Sequence, residues 1–141
     1  MMTRRIYFLF LSLLLVFVVG CGGNKQALTG TVTFSDDGSP VTTGMVIMES
    51  DGKMGRGEID TAGKFVMGFD SNNDGIPKGE TYKVSVINAD IETGIDSRSG
   101  MPIMTPLIDA KYNNPATSGL TFTSDGSSKT MEIKVDRYKK K

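Results

Sequence analysis

The sequence predicts an all-β domain, and three observations carry that reading. Apolar residues recur with a period of two in segment after segment, clusters of Gly, Pro, Asn and Asp separate those segments, and no window shows a helical stripe. About seven short strands divided in this way indicate a seven-stranded antiparallel β-sandwich.

The first strand opens at Leu28, where Leu28, Gly30, Val32 and Phe34 alternate with Thr29, Thr31 and Thr33, β-branched residues suited to a solvated sheet face. Asp36-Asp37-Gly38-Ser39-Pro40 then turns the chain, because Gly supplies positive φ and Pro fixes the re-entry. A second strand spans about Val41 to Ser50, and Asp51-Gly52 reads as a tight turn into a third from Lys53 to Asp60. Gly55 and Gly57 dilute that third strand, which places it at a sheet edge or gives it a bulge. After Thr61-Ala62-Gly63, Phe65, Met67 and Phe69 point one way while Lys64, Val66 and Gly68 point the other. Residues Thr81 to Asn88 set Tyr82, Val84 and Val86 against Lys83, Ser85 and Ile87. Leu120-Thr121-Phe122-Thr123 supplies a further strand, and in the last Met131, Ile133 and Val135 alternate with Glu132, Lys134 and Asp136. The stretch from about Ala89 to Ala110 does not alternate. It is expected to be a long loop that wraps a sheet edge or forms a lip around a binding surface.

Ahead of this domain stands an address. Arg4 and Arg5 precede an apolar run from Ile6 to Val19, too short for a membrane-spanning helix and suited to the core of an export signal. The run closes in Val18-Val19-Gly20-Cys21, the lipobox arrangement, which resembles the bacterial lipoprotein signal. That resemblance implies that residues 1–20 are a signal peptide, removed to leave Cys21 as a lipidated first residue. Acyl chains contribute about 0.8 kcal/mol per buried methylene, so two or three of them hold a protein firmly at a bilayer. Residues 21–26, with Gly22, Gly23, Asn24, Lys25 and Gln26, read as a flexible lipidated tether. The domain then covers 27–136, and 137–141 form a basic C-terminal tail. Gly22, where an aspartate would favour inner-membrane retention, favours outer-membrane sorting in a diderm envelope.

Composition excludes much chemistry. The 141 residues contain no His and one Cys, which removes the commonest general base and, once Cys21 is acylated, any thiolate. Sixteen basic residues balance sixteen acidic ones, and loss of Arg4 and Arg5 with the leader leaves a formal charge of −2. Such a balance offers no field for nucleic acid. No catalytic residues and no cofactor are assigned.

The order of several pieces is similar to the transthyretin-like, carboxypeptidase regulatory-like domains of small exported bacterial lipoproteins, particularly those of planctomycetes. They are Leu28-Thr29-Gly30-Thr31-Val32, Asp37-Gly38-Ser39-Pro40-Val41, Gly44-Met45-Val46, Ile59 to Phe65, Gly75 to Val84, and Lys111 to Leu120. The resemblance covers roughly Leu28 to Val135 and implies a prealbumin-like, Greek-key sandwich without catalysis of its own.

Two constellations invite metal. Asp70-Ser71-Asn72-Asn73-Asp74-Gly75 fits the first half of a calcium loop, with oxygen ligands at alternate positions and Gly sixth. The twelfth position holds Thr81, with Glu80 one residue early, so the closing ligand of an EF-hand is missing. Met101 and Met104 offer thioethers, soft ligands for Cu(I), whereas Met45, Met48, Met54, Met67 and Met131 fall in strands as core fillers. Neither set is assigned a metal. The expected protein is a lipid-anchored, non-enzymatic cell-envelope component, bound to a membrane and to an unidentified protein, peptide or glycan. Alternative readings are a binding module that uses the 89–110 loop, or a calcium-stabilised adhesion domain built on Asp70, Asn72 and Asp74.

Overall fold

A computed structural model describes residues 24–140. The expected signal peptide at 1–20 and the lipidation candidate Cys21 lie outside the described residues, and so does the terminal Lys141. The described residues are all-β. Its strands are β1 (Lys25–Gln26), β2 (Thr29–Phe34), β3 (Met45–Ser50), β4 (Lys53–Glu58), β5 (Lys64–Val66), β6 (Ile76–Pro77), β7 (Thr81–Ile87), β8 (Asp90–Ile95), β9 (Pro102–Pro106), β10 (Leu120–Thr123) and β11 (Thr130–Val135). Among the described residues one 3-10 turn, Ala110–Asn113, interrupts them.

The two larger sheets have the orders β10-β7-β3-β4 and β11-β2-β5, which together use seven strands, and the remaining four form the pairs β1-β6 and β8-β9. One apolar cluster draws on both larger sheets: Val32, Phe34, Phe65 and Ile133 from one, Val46, Met48, Tyr82 and Val84 from the other. Alternation explains the split in β2, where Gly30, Val32 and Phe34 are buried and the threonines between them turn outward. In the centre of the four-stranded sheet the pattern is continuous, with Val84, Ser85 and Val86 all buried, as expected where both faces are covered. Each fully buried aliphatic side chain contributes roughly 1.5–3 kcal/mol, so this cluster accounts for most of the favourable burial.

Three expectations from sequence need correction. The antiparallel pattern is broken by β11, which runs parallel to β2 through six register pairs from Thr130↔Thr29 to Val135↔Phe34. A parallel pair needs a crossover, and here almost the whole domain lies between the two strands, so no local turn forces them antiparallel. The last two residues of the tether expected at 21–26 are instead part of the body, since Lys25 and Gln26 pair with Pro77 and Ile76, and the Gln26 amide donates to Ser128 O at 2.9 Å. The loop expected at Ala89 to Ala110 is largely the β8-β9 ribbon.

β4 does lie at a sheet edge, but it carries no bulge: its register with β3 is unbroken from Met45↔Glu58 to Ser50↔Lys53. Its glycines serve close approach instead. A Cβ at Gly55 would stand 2.8 Å from the Phe69 ring, and one at Gly57 would stand 2.8 Å from Val66 O.

Strand pairing fixes two ends of the body. β1, the start of β2 and the start of β7 lie together at one end with the 68–80 segment, because Lys78 N donates to Asn24 O and Ser124 N to Glu80 O. The finish of β7 lies about 20 Å away along its seven residues, and β8 leaves from there.

Candidate functional site

The Asp70–Gly75 loop sits at the end where β1 begins, and its carboxylates are already neutralised. Lys25 Nζ bonds the Asp70 carboxylate and reaches Asp74 Oδ2 at 2.6 Å. Asp74 also accepts from the Phe69 amide at 2.6 Å, the Ser71 amide at 3.2 Å and the Asp70 amide at 3.3 Å. The ammonium of Lys25, then the Phe69 amide, hold the Asp74 carboxyl well below the usual carboxylate range. Lys25 is raised in turn, chiefly by Asp70 and then by Asp74. Asn72, the third proposed calcium ligand, is exposed. Among the described residues no group of three or more His, Cys, Asp or Glu is arranged to hold a metal ion. A calcium ion here would have to expel the lysine, a partner that the loop sequence alone does not reveal.

At the opposite end two of the pieces quoted from sequence, Asp37–Val41 and Lys111–Leu120, serve packing and capping. Tyr112 is buried and its hydroxyl donates to Asp136 Oδ2 at 3.1 Å. The Thr117 hydroxyl donates to Lys111 O at 2.6 Å, and the Ser118 hydroxyl donates to Val84 O at 2.5 Å. Arg137, the first residue of the basic tail, is held in place. Its guanidinium lies 3.7 Å over the Phe34 ring, with ion pairs to Asp36 at 2.9 Å and Asp37 at 2.7 Å. The hydroxyl and amide of Ser39 do most to bring Asp37 down to about 2, and Arg137 adds to them. Asp136 is also lowered to about 2, first by Lys111, then by the hydroxyls of Ser35 and Tyr112. Carboxylates so held act as fixed acceptors and cannot donate protons near neutrality.

The β8-β9 ribbon is different. Its register pairs Asp90 with Pro106, Ile91 with Thr105 and Glu92 with Met104, shifts at Thr93, and resumes with Gly94 opposite Ile103 and Ile95 opposite Pro102. The shift comes from an extra residue, Thr93, whose hydroxyl is 2.9 Å from that of Thr105. Asp96 closes the tip, its carboxylate accepting from the amides of Arg98 at 2.7 Å and Ser99 at 3.0 Å. Directly opposed residues share a face, so Ile91, Thr93, Ile103 and Thr105 line one side and Asp90, Glu92, Met104 and the prolines the other. Both sides are open: Ile95 and Met101 are each 66% exposed, and Ile91, Ile103 and Met104 are exposed as well. Met101 lies in the tip just ahead of β9 and Met104 within that strand, and both are exposed. Sequence reading missed the ribbon, although Asp90-Ile91-Glu92-Thr93 and Pro102-Ile103-Met104-Thr105 each alternate around a Ser-Arg-Ser-Gly tip. Thr93 hid the signal, because one extra residue puts the strand out of phase.

No protein-family model matches the chain, and no curated protein matches it. Among solved structures, a 9R-lipoxygenase from Cyanothece PCC8801 aligns at 18% identity and a TM-score of 0.39. That alignment covers 79% of this chain and 16% of the lipoxygenase chain, and a likeness at this level carries no argument.

Proposed function

We propose that this chain is a lipid-anchored, non-enzymatic cell-envelope protein, in which a seven-stranded, prealbumin-like β-sandwich displays the β8-β9 ribbon for binding or structural interaction. The observation that carries this reading is positional. The paired chain begins at Lys25, four residues after the cysteine that closes the apolar leader, and the ribbon leaves from the far end of β7. An acyl group on Cys21 would therefore seat the β1 end of the body against a bilayer and hold the ribbon some 20 Å or more out in water. The sandwich reading is supported by a four-stranded and a three-stranded sheet that contribute to one core. Gly22 favours the outer membrane if the envelope has two.

Metabolic labelling with a palmitate analogue tests the anchor. The wild-type chain is expected to carry the label and to fractionate with membranes, and Cys21→Ala to do neither. An unlabelled wild type, or wild type found free in the medium, overturns the proposal.

A further inference from the structure

We propose that the outer edge of β8 accepts an extended peptide segment of another protein, one in which Lys or Arg alternates with apolar residues, as a third strand of the ribbon. This rests on the reading of the ribbon as the interaction surface and names the chemistry of its partner.

The ribbon has two outer edges, and they are not equivalent. β9 begins with Pro102 and ends with Pro106, and a proline has no N–H to offer, so an incoming strand would find gaps at both ends of the ladder. β8 contains no proline, so each of its six residues keeps its amide. Pairing by main-chain hydrogen bonds is thus open along Asp90–Glu92 of β8, ahead of its bulge at Thr93, and blunted at both ends of β9.

Side chains along β8 then define what can pair. Asp90 and Glu92 share a face, and among the described residues neither forms an ion pair or a side-chain hydrogen bond, whereas Asp96 is consumed by the tip. The other face presents Ile91 beside Thr93, Ile103 and Thr105, and carries no charge. A strand laid against β8 also alternates its side chains, so the residues flanking Asp90 and Glu92 must be basic and those flanking Ile91 apolar. A second copy of this chain is a poor occupant, because two β8 edges side by side would bring Asp90 and Glu92 against their own like charges.

The test uses the full-length protein in detergent and fluorescence anisotropy with three labelled probes: an alternating Lys–Val peptide, its Glu–Val counterpart, and the Lys–Val peptide N-methylated at alternate amides. The Lys–Val peptide is expected to bind, the Glu–Val peptide to bind about tenfold more weakly or not at all, and N-methylation to abolish binding. Hydrogen exchange should show protection confined to Asp90–Ile95. The double variant Asp90→Lys with Glu92→Lys, on an exposed strand that leaves the core untouched, is expected to reverse the preference between the two charged peptides. Equal binding of all three peptides would reduce the effect to non-specific adhesion and overturn the proposal. So would protection on β9, or sedimentation showing that the ribbon pairs with a second copy. Palmitate labelling is read independently, so a failure here leaves the anchor standing and a failure there leaves this result intact.

Discussion

The two ends of this molecule each carry a segment that looks like a site in sequence, and they differ in what their polar and apolar groups already touch. At the β1 end, the Asp70–Gly75 loop has the residue types of a calcium ligand set, but its demands are met from within by Lys25 and three backbone amides. At the far end, the β8-β9 ribbon looks like structureless chain, yet it forms a paired element whose Ile91, Ile95, Met101, Ile103 and Met104 remain uncovered. Residue type alone does not make a site; unmet contacts do. A two-stranded ribbon in water is marginal by itself, so this one is expected to open well before the body unfolds.

The largest contrast between the two ends should appear on adding one methyl group at each. Gly75 has φ +85°, and a Cβ there would overlap the Gln26 carbonyl and stand 3.1 Å from Ala27 N. Because the obstruction is backbone, Gly75→Ala is expected to cost about 3 kcal/mol, combining positive-φ strain with overpacking. Gly100, at φ +70° in the ribbon tip, has nothing within 4 Å of the added group, so Gly100→Ala should cost only about 1 kcal/mol of local strain. Urea unfolding of both variants measures the difference. Equal losses would mean that the β1 end is no more tightly built than the ribbon.

Acid should loosen the body and its loops without a matching effect on the ribbon strands. The carboxyls of Asp37 and Asp136 are held at about 2, and that of Asp74 is held below its ordinary value. A group whose pKa is lower in the folded state stabilises that state above the unfolded value near 4, and the contribution disappears as pH falls through the folded value. The melting midpoint is therefore expected to be flat from about pH 5 to 8 and to drop between about pH 4 and 2. All three groups are solvent-accessible, so the drop should be modest and should shrink with added salt. Asp74→Asn should lower the midpoint at neutral pH and flatten the acid limb.

Much of the body was legible in sequence because its alternation and its turns agree. Leu120–Thr123 and Thr81–Ile87 fall where period two and turn chemistry put them, and the Asp51-Gly52 turn joins the strands it was expected to join. What escaped the sequence depended on long-range partners or on phase. The parallel match of β11 with β2 is set by packing across most of the chain, Lys25 meets Asp70 only through β1, and Thr93 breaks the alternation that would have announced β8. The calcium alternative turned on the same kind of contact: Asp74 has its acceptor capacity filled by Lys25 and local amides.

On the ribbon itself, polar replacements should be nearly silent for stability. Ile95→Ser and Met101→Ser remove apolar groups that are already in water, so each is expected to change the unfolding free energy by no more than about 0.5 kcal/mol. Native-state hydrogen exchange sharpens this, because amides of Asp90–Ile95 should exchange with far lower protection than those of Thr81–Ile87. A large loss of stability in either variant would show that the ribbon is covered, and the contrast between the two ends would collapse.

Calcium provides the smallest expected effect. Any ion that binds only the folded protein raises stability by RT ln(1 + [L]/Kd), about 1.4 kcal/mol when its concentration is tenfold above Kd. Binding at Asp70 and Asp74 would have to displace the Lys25 ammonium, so the net gain must exceed the loss of two charge-assisted bonds. The melting midpoint at millimolar calcium is therefore expected to match that in chelator. Lys25→Met provides the informative contrast: with the ammonium gone the two carboxylates face each other without a counter-charge, and calcium should then raise the midpoint. A shift in the wild type of the same size as in Lys25→Met would show that the lysine does not occupy the loop, and the β1 end would rejoin the ribbon as an unmet site.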